Sequence, residues 1–291
     1  MILYLVAVVL LGALLAPWAF GLVESVKHVS WLSGILREAT FRRVFDRTLL
    51  VVAAIGLVPL LRALRVPSWR DIGYVRRRFG AVELVGGVCL GCVSFGVAGA
   101  LLVLLGGRQL SQNWIHVTRN LITFALTGVL VALVEETFFR GGLQTALGRG
   151  LNAAAAIVIT SAVYSVVHFM KPSEADIPAN AVCWTSGFEH LVTVLRVAFK
   201  QSGVGLGFVT LFLAGLTLGI ARARTGALYL PIGVHAGWVF TQKTFQWMTD
   251  RTKLQAWWGS TDLVEGMLTW PLLLVLIGIV LWLTRQRKTT S

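Results

Sequence analysis

Apolar residues come in long runs in this chain, and polar ones gather between them. The runs fall at about 1–23, 48–61, 81–105, 118–140, 151–170, 203–221, 227–248 and 267–284. About 20 residues of α-helix cross the hydrocarbon of a bilayer. Backbone groups in that medium must be satisfied internally, so helices are the natural spanning element. The pattern predicts an all-α, polytopic integral membrane bundle of about eight transmembrane helices. The second run is short and carries Pro59. The first is apolar from its second residue and lacks the basic flank and small-residue cleavage site of a signal peptide, so it is expected to be a retained span. Eight spans put both termini on one side.

Composition sharpens the picture. Of 291 residues, 56% are apolar and only 13% are charged, whereas soluble chains carry about 25% charged residues. The net charge is +13. In a soluble protein that excess would suggest nucleic acid. Here the apolar runs break up the basic residues, and neither an RNA-binding motif nor a Gly-rich phosphate loop is present, so no nucleic-acid partner is expected. The excess suits loops lying beside anionic lipid. On the side of the termini stand Arg70, the run Arg76, Arg77 and Arg78, then Arg222, Arg224 and the tail Arg285, Arg287 and Lys288, with Asp71 the one acid. That side is expected to be cytoplasmic, in a prokaryotic inner membrane. Loop 171–202, with Pro172, Pro178 and the amphipathic run Phe188 to Lys200, is a candidate interfacial segment. Cys89 and Cys92 form a CxxC inside a Gly-rich span, which points to helix packing rather than redox chemistry. The expected organisation is an N-terminal membrane region over 1–117, a core over 118–248 and a last helix with a basic tail over 249–291.

Candidate chemistry lies where polar residues interrupt the apolar runs. A charged side chain at mid-bilayer costs about 2.5–3.5 kcal/mol on insertion scales, which makes such residues functional candidates. Glu135 and Glu136 follow fourteen residues with no charge, and Arg140 comes four residues after Glu136. Positions i and i+4 share a helix face, so Arg140 can neutralise Glu136. Glu135 points about 100° away and needs a partner elsewhere. His168 ends the next span. Counted from the turn near Gly150, Glu135 and His168 stand about 22 Å and 27 Å along their helices, at similar depth. A carboxylate facing an imidazole there could activate a water. His235 sits in Pro231-Ile-Gly-Val-His235-Ala-Gly-Trp238, where Gly233 and Gly237 permit close helix approach. His28, His116 and His190 fall between the runs and are expected to be non-catalytic.

Glu135-Glu136-Thr-Phe-Phe-Arg140 resembles the EExxxR motif of the CAAX-protease and bacteriocin-processing family of intramembrane endopeptidases. Tyr164-xxx-His168 is similar to that family's FxxxH motif, with Tyr for Phe. His235-xxx-Val239 matches its third motif at the His. The run Gly215-Leu-Thr-Leu-Gly219 resembles the usual lead-in, and the likeness covers roughly 118–245. The resemblance implies a membrane endopeptidase acting on a membrane-associated precursor or C-terminal tail. Glu135 and His168 would activate water, His235 with the residue four later would stabilise the oxyanion, and Glu136 and Arg140 would orient the site. Val239 cannot donate a hydrogen bond, and Tyr164, the Trp238 indole or a backbone N–H could replace it. No cofactor is expected to be required. A zinc-dependent version would use Glu135, His168 and His235 as ligands, although HExxH is absent. The competing readings are a transporter using the same residues as a relay and an inactive scaffold, suggested by Val239.

Overall fold

The computed structural model of the chain describes residues 2–29, 39–63, 68–112, 114–169, 176–197, 204–252 and 260–285. In chain order its helices are α1 (Ile2–Val26), α2 (Phe41–Ala63), α3 (Gly80–Leu104), α4 (Val117–Leu147), α5 (Ala153–Phe169), α6 (Ser186–Val197), α7 (Val204–Thr225), α8 (Tyr229–Met248) and α9 (Thr269–Arg285). Every apolar run therefore contains a helix, and α6 is the amphipathic segment. Pro172, Lys200, Arg287 and Lys288 lie outside the described residues. Among the described residues, α1, α2, α3, α4 and α7 are long and apolar enough to cross a membrane. α5 and α9 are apolar but shorter, 17 residues each. α8 is less apolar for a physical reason. It faces protein rather than lipid, and each residue from Leu230 to Trp238 is buried.

α2 starts well before its apolar run. Phe41, Val44 and Phe45 are buried on one face while Arg43 and Arg47 stay exposed, so the first two turns are amphipathic. The Arg43 N–H meets the Thr40 hydroxyl at 3.4 Å, as at a capped N-terminus.

Packing divides the chain into two compact units. The first holds residues 1–65 and 168–202. In it α1 contributes Ala13, Ala16 and Phe20, which pack on Phe41, Val44 and Phe45 of α2 and on Phe188 and Leu191 of α6. His190, expected between elements, lies on α6. Its ring stands 4.5 Å from that of Phe45 and 5.8 Å from that of Phe41, a packing position.

The second unit holds residues 66–167 and 203–291. Its main core joins Phe95 and Leu102 of α3, Leu218 of α7, Val234 and Trp238 of α8, and Leu273 and Val280 of α9. Gly87 and Gly91 of α3 face Gly233 and Gly237 of α8. A Cβ at Gly233 would stand 2.1 Å from the Leu84 carbonyl oxygen, and one at Gly91 would stand 2.2 Å from that of Val234. Only glycine fits at that spacing, as in small-xxx-small membrane crossings. Cys92 joins the same seam, its thiol donating to the Gly237 carbonyl at 3.7 Å. Cys89 and Cys92 are both free thiols, and while Cys92 lies in the seam Cys89 is exposed. Beyond α3 and α8 a short antiparallel pair, β1 (Arg108–Leu110) with β2 (Thr249–Arg251), ties the two chain segments together. Ile122, Leu126, Val129 and Leu130 of α4 and Leu274, Val275 and Trp282 of α9 are exposed. An exposed apolar surface of that extent suits lipid.

Candidate active site

α4 is regular from Val117 to Glu136. Over Thr137–Leu143 it winds as a π-helix before returning to α geometry at Gln144. Such insertions are rare and cluster at functional sites. This one follows directly on the paired glutamates and carries Arg140.

Glu136 and Arg140 are both fully buried. Arg140 Nη1 donates to Glu136 Oε1 at 2.8 Å, so the pair expected from i,i+4 spacing forms. The same oxygen lies 2.8 Å from His235 Nδ1. One carboxylate oxygen thus collects a guanidinium from its own helix and an imidazole from α8. A buried carboxylate without a countercharge is costly, and Arg140 offsets that cost. The guanidinium is fixed in turn. It lies over the Tyr164 ring, 4.6 Å from the centroid, and Nη2 reaches the Gly215 carbonyl at 3.5 Å. One turn on, buried Gln144 donates to the Gly219 carbonyl at 3.1 Å. Gly215 and Gly219 also let α7 press against α5. A Cβ at these positions would stand 2.8 Å from the Ser161 Cβ and 2.9 Å from an Ile157 methyl. The Gly215–Gly219 run therefore has a double role, as a close helix contact and as a source of carbonyls for α4.

Glu135 is 6% exposed, and its Oε2 stands 3.9 Å from His235 Nε2. That is too long for a direct hydrogen bond. Two atoms so spaced leave positions about 3 Å from each, where one oxygen atom could contact both. The glutamates therefore address opposite nitrogens of one imidazole. An Nδ1–H donated to Glu136 fixes the ring and turns Nε2 toward Glu135. The approach of α4 to α8 that permits this is close, since a Cβ at Gly128 would meet the Ala236 carbonyl at 2.8 Å.

Other expectations resolve as follows. Tyr164 is buried, with its ring edge-on to His235 at 6.2 Å between centroids. Val239 is partly buried and brings no donor. The Trp238 indole cannot replace that donor, because its N–H bonds the Ser94 hydroxyl at 2.9 Å while the ring stacks on Phe95. His168 lies one turn beyond Tyr164 on α5 and is partly buried. It is grouped with the first unit, whereas the cluster around Glu136 is built within the second. His116 caps α4 in a left-handed conformation, φ 57°, and His28 sits in the turn after α1. Among the described residues, no three His, Cys, Asp or Glu side chains gather as a metal site. Gln144 is a participant that the sequence reading missed. Its signal was available, since it continues the i,i+4 stripe of Glu136 and Arg140.

Residues 117–241 match the family model described as type II CAAX prenyl endopeptidase Rce1-like. Over that segment the chain is similar to the Rce1-like family. The family is one of endopeptidases, so the chain carries a peptidase domain, and its long apolar helices make it an integral membrane protein. The Rce1-like segment runs from the start of α4 into α8. It includes Glu135, Glu136, Arg140, Gln144, Tyr164, His168 and His235. No curated protein and no solved structure matches the chain.

Proposed function

We propose that the Rce1-like domain hydrolyses a peptide bond in a membrane-associated precursor or C-terminal tail, with Glu135 as the general base. The observation that carries this reading is His235 held between two buried carboxylates, with Glu136 on Nδ1 at 2.8 Å and Glu135 facing Nε2 at 3.9 Å. In the proposed step, Glu135 takes a proton from water as the water oxygen attacks the scissile carbonyl. In its doubly protonated form His235 keeps its Nδ1–H on Glu136 and donates its Nε2–H to the developing oxyanion. The proton held by Glu135 then passes to the leaving amine as the C–N bond breaks. Glu136 orients the imidazole, and Arg140 pairs with Glu136. For His168 as the partner of Glu135, the support is the order of motifs along the chain. With Val239 mute and the Trp238 indole engaged, Tyr164 or a backbone N–H supplies the second oxyanion contact.

The step needs only groups of the chain and a water. A purified sample should accordingly keep its peptidase activity after exhaustive chelation, and a loss restored by zinc would reverse that reading. The basic residues beside α3, α7 and α9 support a reading with both termini in the cytoplasm, and the membrane of this reading is a prokaryotic inner membrane. The reading is tested by comparing membrane proteomes of cells carrying the wild type or Glu135→Ala. Accumulation of an uncleaved precursor in the variant is the expected result. Identical proteomes would favour a transporter or a scaffold.

A further inference from the structure

Residues 68–79 form a strap that precedes α3 and crosses the ends of α4, α7 and α8. It is held at several points. The Leu228 N–H donates to the Gly73 carbonyl at 3.1 Å, Arg222 Nη2 to the Asp71 carbonyl at 3.1 Å, and the Tyr229 hydroxyl to the Val75 carbonyl at 3.0 Å. Ile72 is fully buried, and its carbonyl would stand 3.1 Å from a Cβ at Gly141, inside the π segment. Gly73 turns the strap at φ +107°, a conformation that L side chains rarely adopt. These anchors make the strap a fixed element of the second unit.

A polar side-chain contact of the strap with α4 is informative. The Tyr74 hydroxyl lies 2.5 Å from Thr137 Oγ1. Thr137 Oγ1 lies 2.5 Å from the Leu133 carbonyl, which can only accept. The single hydroxyl hydrogen of Thr137 is therefore committed to Leu133, and Tyr74 is the donor of its own contact. The Tyr74 ring packs against the apolar patch of Ala132, Leu228, Ile232 and Ala236, where α4 crosses α8. Burial raises the Tyr74 phenol above its ordinary range, against a smaller lowering by the Thr137 hydrogen bond, so the group stays protonated and able to donate.

Thr137 directly follows Glu136 and is the first residue of the π segment. A change of one residue in the winding there would turn every later side chain by about 100° relative to the earlier ones. Arg140 could not then hold Glu136, the Tyr164 ring and the Gly215 carbonyl together. We infer that Tyr74 is a positioning residue of the active site, whose hydroxyl, acting through Thr137, fixes the point at which α4 passes from α to π winding and so sets the reach of Glu136 and Arg140 toward His235.

This inference rests on the hydrolytic reading above, and the test separates the two. Cleavage of the accumulated precursor is measured with the full-length protein in liposomes for Tyr74→Phe, Thr137→Val, Thr137→Ser, the Tyr74→Phe/Thr137→Val double variant and Glu135→Ala. Tyr74→Phe should lower kcat about tenfold with KM unchanged, since small misplacements of reacting groups are expensive. Thr137→Val should do the same, the double variant should lose no more than either single one, and Thr137→Ser should keep most of the rate. Helicity and thermal unfolding of Tyr74→Phe in detergent should stay near wild type. Wild-type kcat in Tyr74→Phe beside an inactive Glu135→Ala would overturn the positioning role alone. So would additive losses in the double variant, or a Tyr74→Phe protein that has lost its fold. Cleavage by Glu135→Ala would overturn the hydrolytic reading, and this inference with it.

Discussion

Oε1 of Glu136 meets Arg140 and His235 at 2.8 Å each, in a place closed to solvent. Removing either partner should have a different consequence. Arg140→Ala leaves a buried carboxylate uncompensated, and such losses cost about 3–5 kcal/mol. Denaturant unfolding in detergent should show that loss, and Arg140→Lys should recover only part of it, because Lys lacks the planar fork and stacks less well on Tyr164. His235→Ala leaves the ion pair intact. It should remain folded and lose about 10²–10³ in kcat, the usual cost of one oxyanion donor. A stable His235→Ala variant with wild-type kcat would remove that residue from the chemistry. At this scale the sequence was informative about pairs on one helix. The Glu136–Arg140 contact follows from spacing alone. The His235 contact does not, since it depends on how two helices cross, and the engagement of Trp238 by Ser94 was hidden for the same reason.

The crossing is decided by elements. Gly87, Gly91, Gly233 and Gly237 bring α3 and α8 to a separation that excludes any Cβ. Gly233→Ala should therefore force the helices apart, at an overpacking cost of about 1–3 kcal/mol or more, and should lower activity by moving His235. Gly86→Ala on the same α3 is the matched control, because a Cβ there meets nothing within 4 Å. Thermal unfolding of the two variants in detergent should separate clearly, and equal stability would show that the glycine seam does not position α8. Helix existence was legible throughout, since each apolar run contains a helix. Two features were not. The early start of α2 rests on Phe41, Val44 and Phe45, whose amphipathic turns fall outside the apolar run. The π segment of α4 has no periodicity signal, because its extra residue is stabilised by contacts with the strap and with α7.

For the whole molecule, the Rce1-like segment covers α4 to α8, yet the site's support reaches beyond it. α3 supplies the glycine seam, and the strap before α3 supplies Tyr74. The family likeness was legible as a motif order along the chain, while the crossing that brings His235 to Glu136 lay in residues with no chemistry of their own. The central claim is that Glu135 activates a water beside His235. The most direct measurement is cleavage of the accumulated precursor by the protein in liposomes prepared in H₂¹⁸O, with mass analysis of the new C-terminus. The account predicts one ¹⁸O in the new carboxylate with wild-type protein and no cleavage with Glu135→Ala. Cleavage by Glu135→Ala at the wild-type rate would contradict it.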